Sequence, residues 1–354
     1  MLHTIELTTR VEVSIFYALR REFGMQVISA SQKTEEFRNY GFREVQLNSI
    51  DINGMIIRLA VIRLNTKVLL DNQETILSTQ ASETHRIAAA FNERKSTIFG
   101  DFTNDLPDFD QWTCRRIDYC MDVITEHVSA YVALFQRCKL PSHHYNINIK
   151  KKGSSYMKSN SVTLNFYDKF DQLEKHLLAL DKTMTNKEQN EATNMLRFEI
   201  QCQRGKTDYI KRREGFDSKS IEHFLDSSLS NKLILDYYDK SIGTGDFYSL
   251  HGARAIVDRA NLQFRTKQTI LNTLKLIAKT RSIEKARVQF IEGVDIGGGT
   301  IVKGSRKAFN DNIKKIRLLG INPVTIPRNW DITFLPNPRE LILSRMQSEL
   351  EETH

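Results

Sequence analysis

Proline is scarce in this 354-residue chain, with six in all, and the four cysteines Cys114, Cys120, Cys138 and Cys202 are spread so that no CxxC pair forms. That spacing excludes a zinc ribbon and a dense disulfide framework, and the four read as reduced, buried thiols. No apolar run approaches the roughly eighteen residues that a membrane helix needs. The amino terminus places Glu6 and Glu12 inside its apolar stretch and lacks the basic start and small-residue cleavage site of a secretory signal. These absences predict a cytoplasmic protein with no membrane contact. Gly297, Gly298 and Gly299 are not followed by the GK[ST] of a phosphate-binding loop, and no repeat or low-complexity tract is present.

What the chain does have is basic charge. Fifty-one Lys and Arg stand against 43 Asp and Glu, a net charge of +8 that points to a polyanionic partner. The bases gather at Lys150, Lys151 and Lys152, at 204–213, at 265–287 and at 303–317, all candidate phosphate contacts. Acids gather at Asp101, Asp105, Asp108 and Asp110 around Pro107, a turn-prone passage that predicts a linker or surface loop. The chain then divides into an amino-terminal α/β segment (1–111), a central sheet (112–215) and a mainly helical carboxyl-terminal region (216–354) expected to bind DNA. In the first of these, Val45 to Leu64 reads as a hairpin turning at Asn53-Gly54.

The central segment carries the chemistry. Three stretches alternate with period two and read as strands. In the first, Arg116, Asp118, Cys120 and Asp122 share one face, opposite Ile117, Tyr119 and Met121. In the second, Thr163, Asn165, Tyr167 and Lys169 oppose Val162, Leu164 and Phe166; in the third, Arg197, Glu199 and Gln201 oppose Leu196, Phe198 and Ile200. Amphipathic helices after Thr125 and after Lys169 are expected to cover the apolar face and to leave the polar face open. An ordinary solvated face stabilised by cross-strand charge pairs explains any one strand. Three strands with the same ingredients suggest more: clustered carboxylates call for a cation such as Mg²⁺ or Mn²⁺, which phosphoryl transfer also uses. A tyrosine near a lysine can be activated as a nucleophile, and its attack on a phosphodiester conserves the bond energy in a covalent link.

The succession RRIDYCMD, SSYMKSNSVTLNFYDK, LRFEIQ and, far downstream, GINPVTIPRNW resembles the replication initiators of filamentous phages, the gene II type, and more loosely the Rep_trans initiators of rolling-circle plasmids. The resemblance runs from Trp112 to Arg213 and reaches Trp330 through the last motif. It implies an α+β fold of the replication-nuclease, ferredoxin-like kind, in which helices cover one face of a central antiparallel sheet. It also implies a site-specific DNA nickase and ligase for rolling-circle replication. Such an enzyme leaves a 5′-phosphotyrosyl intermediate and a free 3′ hydroxyl, and works with the host polymerase and a helicase; a homodimer is one assembly open to it.

Residue by residue, the resemblance makes Tyr167 the nucleophile, Lys169 its neighbour, and Asp118 and Glu199 the acids near a Mg²⁺ or Mn²⁺ ion, with Asp122 a further candidate. Arg116 and Arg197, with Lys150, Lys151 and Lys152, are candidate DNA contacts, although both arginines could instead pair with the acids. The chain departs from many such nucleases in lacking a His-hydrophobic-His metal pair, since His143 and His144 are adjacent, leaving His144 as a candidate ligand. Tyr238-Asp239-Lys240 repeats the Tyr167-Asp168-Lys169 tripeptide in a helical context and reads as structural. Two alternatives remain: a non-catalytic basic DNA-binding regulator on the same fold, and a nuclease that uses water on the same carboxylates.

Overall fold

A computed structural model describes residues 2–24, 30–32, 35–71, 75–139, 142, 144–145, 147–151, 153–179 and 181–351. Nine strands form one sheet: β1 (Leu2–Arg10), β2 (Ala30–Gln32), β3 (Phe42–Ile52), β4 (Met55–Asn65), β5 (Thr113–Ile124), β6 (Ile147–Lys151), β7 (Ser154–Lys158), β8 (Val162–Asp168) and β9 (Met195–Cys202). The order is β2-β3-β4-β1-β5-β9-β8-β7-β6, and every pairing is antiparallel.

Around the sheet lie α1 (Val13–Glu22), α2 (Glu35–Asn39), α3 (Thr66–Asp71), α4 (Ile87–Phe99), α5 (Val128–Phe135), α6 (Lys169–Leu178), α7 (Asn186–Ala192), α8 (Arg204–Glu214) and α9 (Ser227–Ser241). The carboxyl-terminal region adds α10 (Leu250–Arg259), α11 (Phe264–Thr280), α12 (Ile283–Glu292), α13 (Arg306–Leu318) and α14 (Arg339–Glu351). The fold is thus α+β with a mainly helical carboxyl-terminal part.

Alternation along the strands sorts the two faces. Ile5, Leu7, Val45, Leu47, Ile62, Leu64, Ile117, Tyr119, Leu164, Phe166, Phe198 and Ile200 join one large core with Phe16 of α1, Phe91 of α4, Phe135 of α5 and Tyr238 of α9. Phe166 and Phe198 stack at 4.5 Å, and Phe135 meets Phe166 edge-on at 5.0 Å. Such aromatic pairs add about 0.5–1.5 kcal/mol each beyond area burial. Tyr238 lies in this core, where its hydroxyl donates to Asn337 Oδ1 at 2.7 Å.

The hairpin turning at Asn53-Gly54 is present as β3–β4, with Ile52 opposite Met55. The division expected at residue 111 does not separate two sheets, because β1 pairs with both β4 and β5. Nor is the acidic passage before Trp112 a free linker. Lys95 Nζ donates to the carbonyls of Leu106 and Pro107 and to Asp108, while Leu106 and Phe109 are buried in the core.

Ile321 to Ile326, from the downstream motif, are buried as a structural strap. Asn322 Nδ2 donates to the Ile242 carbonyl, and bridges join Ile321 to Asp246 and Ile326 to Ser249.

Candidate active site

The polar faces of β5, β9 and β8 are brought side by side. Cys120 lies opposite Glu199 and Asp122 opposite Arg197, while on the other edge of β9 Asn165 faces Glu199 and Tyr167 faces Arg197. Tyr167 therefore shares its face with Asp118 and Glu199, and its hydroxyl donates to Glu199 Oε2 at 2.9 Å. Gln201 Nε2 donates to the other Glu199 oxygen at 2.7 Å. At the end of β8, the Asp168 carboxylate accepts from the backbone N–H groups of Phe170 and Asp171 and caps α6. Lys169 thus becomes the first residue of the helix, and its ammonium donates to Gln172 Oε1 at 2.9 Å.

The face is closed, contrary to the expectation of an open one. Asp118, Asp122, Tyr167, Lys169, Arg197 and Glu199 are each 6% exposed or less. The segment 76–80 lies over the Asp122 end, where the Ile76 carbonyl accepts from Arg197 and Ser78 Oγ donates to Asp122. Helix α6 contributes to this cover as well. Its stripe of Phe170, Leu173 and Leu177 packs with Ile76, Leu77 and Ala192 in a small cluster apart from the main core, whereas α5 packs on the apolar face as expected. A polar face can be covered when its charged groups are paired or hydrogen-bonded internally: Asp118 and Asp122 each hold an arginine, while Glu199 and Lys169 are met by neutral partners.

That pairing corrects several assignments. Arg197 is fully buried and grips both oxygens of Asp122, at 2.5 and 2.7 Å, so neither is available to DNA or to a metal at this site. Arg116 grips both oxygens of Asp118, at 2.8 and 2.7 Å. Among the described residues no group of three His, Cys, Asp or Glu side chains is arranged to hold a metal ion. Asp118 and Glu199 are near enough to repel one another, yet a cation between them would displace the Arg116 guanidinium. As arranged, the three acids do not fit a single metal centre. His144 is exposed in the turn before β6, Lys150 lies in β6, and Lys152 falls outside the described residues.

Burial and charge displace the key protonation equilibria. Burial and the adjacent Glu199 hold the Tyr167 phenol well above its usual 10, against the pull of Arg197. Burial, helped by Arg197, pushes the Lys169 ammonium down to about 7. Burial raises the Asp118 carboxyl to about 7, with Glu199 adding to the rise and Arg116 opposing it. For Asp122, burial works upward but Arg197 overrides it and holds the carboxyl below its usual value.

His3 is a residue that sequence reasoning missed. An irregularity between Leu2 and Thr4 in the β1–β5 pairing brings it into the field of Arg197, Lys169 and Arg116. Burial and those cations keep its imidazole neutral, with a pKa well below 6.5. Bulges re-aim side chains in this way without marking the sequence.

Tyr167 lines a cleft of about 410 Å³ together with Lys151, Tyr156, Asn165, Gln172 and Lys175. The size suits a small ligand or one unit of a polymer. Gly153 makes its wall possible: at φ 78 its carbonyl accepts from the Asp168 N–H, and a Cβ there would stand 2.1 Å from the Asp171 carboxylate. Comparisons with protein-family models, curated proteins and solved structures find no match to this chain.

Proposed function

We propose that this protein is a replication initiation endonuclease. It nicks one DNA strand at an origin through Tyr167, forming a 5′-phosphotyrosyl link and a free 3′ hydroxyl for rolling-circle replication. The observation that carries the reading is the Tyr167 hydroxyl bonded to the buried Glu199 carboxylate, on a tyrosine that lines a cleft together with Lys151, Lys175 and Tyr156. The lysines suit the phosphates of a single strand, and Tyr156, opposite Asn165 on β7, offers a ring for a base to stack on. Host polymerase and helicase are the partners this chemistry requires, and a homodimer is compatible with it.

The step needs a base because the phenol is held neutral. Glu199 takes the Tyr167 proton as the phenolic oxygen attacks phosphorus. The bond from phosphorus to the 3′ oxygen breaks, and that oxygen leaves as a hydroxyl after accepting a proton from the Lys169 ammonium. Resealing runs the same transfers backwards. A Mg²⁺ or Mn²⁺ ion, if recruited, would be held by Asp118 and Glu199 after Arg116 turns aside, and would neutralise charge on the non-bridging oxygens.

A denaturant-resistant adduct between the protein and single-stranded origin DNA, formed with Mg²⁺ or Mn²⁺ and abolished in Tyr167→Phe, is the expected result. Cleavage that survives Tyr167→Phe would instead assign a water nucleophile. The reading as a non-catalytic DNA-binding regulator is favoured by the tight closure of Asp118 by Arg116 and of Asp122 by Arg197. It predicts that the wild type forms no adduct at any metal concentration.

A further inference from the structure

Between Phe264 and Leu318 the chain carries thirteen Lys and Arg against four Asp and Glu. That surplus of nine exceeds the net +8 of the entire protein, so the rest of the chain is close to neutral. The bases of this segment are mounted on a compact unit. Helices α11 and α12 are joined by only Arg281 and Ser282. Arg281 turns the chain at φ 53 with its N–H on the Ile277 carbonyl, and the Ser282 hydroxyl accepts from the Lys285 N–H as the cap of α12. After α12 comes a hairpin in which Val294 pairs with Val302 and Asp295 with Ile301.

The hairpin tip is Gly297, Gly298 and Gly299, at φ 118, 65 and 74, and a Cβ on any of them would meet nothing within 4 Å. The turn therefore needs glycine for its backbone and stands clear of the protein. Lys279 Nζ donates to the Asp295 carbonyl at 2.8 Å and ties the hairpin to α11. Beneath, Ile277, Ile283, Ala286, Phe290, Val302 and Phe309 belong to the main core.

We propose that α11, α12 and this hairpin form a helix-turn-helix unit that binds duplex DNA, with α12 in the major groove and the hairpin on the flanking backbone. The outward face of α12 presents Lys285, Val288 and Glu292 at helical spacing, and Lys303 and Lys307 are exposed beside the hairpin and at the start of α13. Val288 is 50% exposed and Ile301 73%, an apolar pair suited to thymine methyl groups. Cations also crowd the base of the unit. The Lys139 ammonium is pushed down by burial and by Arg317, Arg287 and Arg306, and among the described residues the Nε and Nη2 atoms of Arg317 have no hydrogen-bond partner. Glu284, which pairs with Arg287, offsets only part of this field, and the remainder suits a polyanion.

The unit is also fixed relative to the nucleophile. The Ile283 N–H at the start of α12 donates to the Arg137 carbonyl, Phe135 of α5 packs on Phe166, and Phe166 precedes Tyr167 in β8. A duplex held on α12 would set the register of the strand delivered to the cleft, and in this respect the inference rests on the nickase reading. Duplex binding itself does not depend on that reading.

The test uses the full chain with alanine at Lys285, Lys303 and Lys307 together, and separately Thr300→Glu at the hairpin tip. Affinity for a mixed-sequence DNA duplex of about 30 base pairs is measured between about 50 and 200 mM salt, with and without Tyr167→Phe, beside adduct yield on a short single strand. Duplex affinity is expected to fall at least about tenfold in the triple variant, and the slope of log K against log salt to flatten by about 0.9 for each phosphate no longer neutralised. Thr300→Glu gives a smaller decrease, and single-strand adduct yield stays within about twofold in both variants. An unchanged duplex affinity and slope would overturn the assignment. So would an equal decrease on the single strand, or tighter and equally sensitive binding of an RNA duplex. A slope that responds while the wild type forms no adduct sustains the duplex site and sinks the nickase reading alone.

Discussion

The two halves of the sheet follow the same path and differ in what they do with charge. In the first, a strand (β1), a helix (α1), three further strands and a short helix (α3) are laid out as β1-β4-β3-β2. In the second, β5, α5, three further strands and α6 are laid out as β5-β9-β8-β7-β6, with β9 inserted next to the centre. Where the second half has β9, the described residues of the first half have a bridge between Leu2 and Thr79.

On the polar face of the first half, Arg63 joins Glu6 at 2.7 Å and Glu44 at 2.9 Å, with the arginine side chain 32% exposed. Opposite charges there meet in register, each buried carboxylate held by an arginine that still reaches water. In the second half, β9 brings Arg197 and Glu199 between β5 and β8, the face is covered, and protonation equilibria move far from their ordinary values. Paired charge on a strand face is scaffolding while every acid keeps its arginine. It becomes chemistry when an extra strand and a cover remove the solvent.

Matched substitutions in the two halves separate these behaviours. The largest effect is expected from Tyr167→Phe and from Glu199→Gln. Both should lower adduct formation by about a thousandfold or more, read on denaturing gels, because one lacks the nucleophile and the other its base. Glu6→Gln, at the corresponding face of the first half, should leave adduct formation unchanged.

Next comes Arg197→Met, which strands Asp122 as a buried unpaired charge. It should cost about 3–5 kcal/mol in denaturant unfolding. Arg63→Met removes an arginine that is itself 32% exposed and leaves Arg115 beside Glu6, so it should cost less, about 1–2 kcal/mol, and similar costs for the two would dissolve the distinction between the halves.

Lys169→Met tests what a buried base costs the fold. The folded-state pKa of about 7 lies below the ordinary 10.5, so the unfolded chain binds the extra proton between those values and wild-type stability rises with pH across that window. The methionine variant should therefore be more stable than wild type by about 1–2 kcal/mol below pH 7. The gain should shrink as pH climbs toward 10.5, while adduct formation drops by about a hundredfold. A pH-independent difference in stability would mean that Lys169 is not titrating in the folded protein.

Much of the site could be read from spacing alone. Period-two alternation put Asp118, Tyr167 and Glu199 on the polar faces of their strands, and the strands are neighbours, so one hydrogen bond joins Tyr167 to Glu199. Tyr238, in its helical context, was separable from Tyr167 on the same grounds. Other features were not legible. The alternation of Thr4, Glu6 and Thr8 against Ile5 and Leu7 marks β1 in hindsight, but its place between β4 and β5 depends on pairings remote in sequence. The side taken by α6 was equally hidden, because an apolar stripe specifies a partner surface without naming it; Ile76 and Ala192 provide that surface here.

Sequence alone decided which side chains share a face along β8, β9 and the 116–122 stretch of β5, because a strand without a bulge alternates with a period of two. It also decided that the charge surplus lies between Phe264 and Leu318. Tertiary structure alone decided which acids remain open to chemistry. Asp118 and Asp122 are equivalent in the alternation of β5. Yet both oxygens of Asp122 are locked by an arginine 75 residues away, both of Asp118 by Arg116 two residues away, and it is Glu199 that receives the tyrosine. Proximity across a sheet is set by topology, and desolvation by whatever covers the face; neither leaves a local mark in the chain.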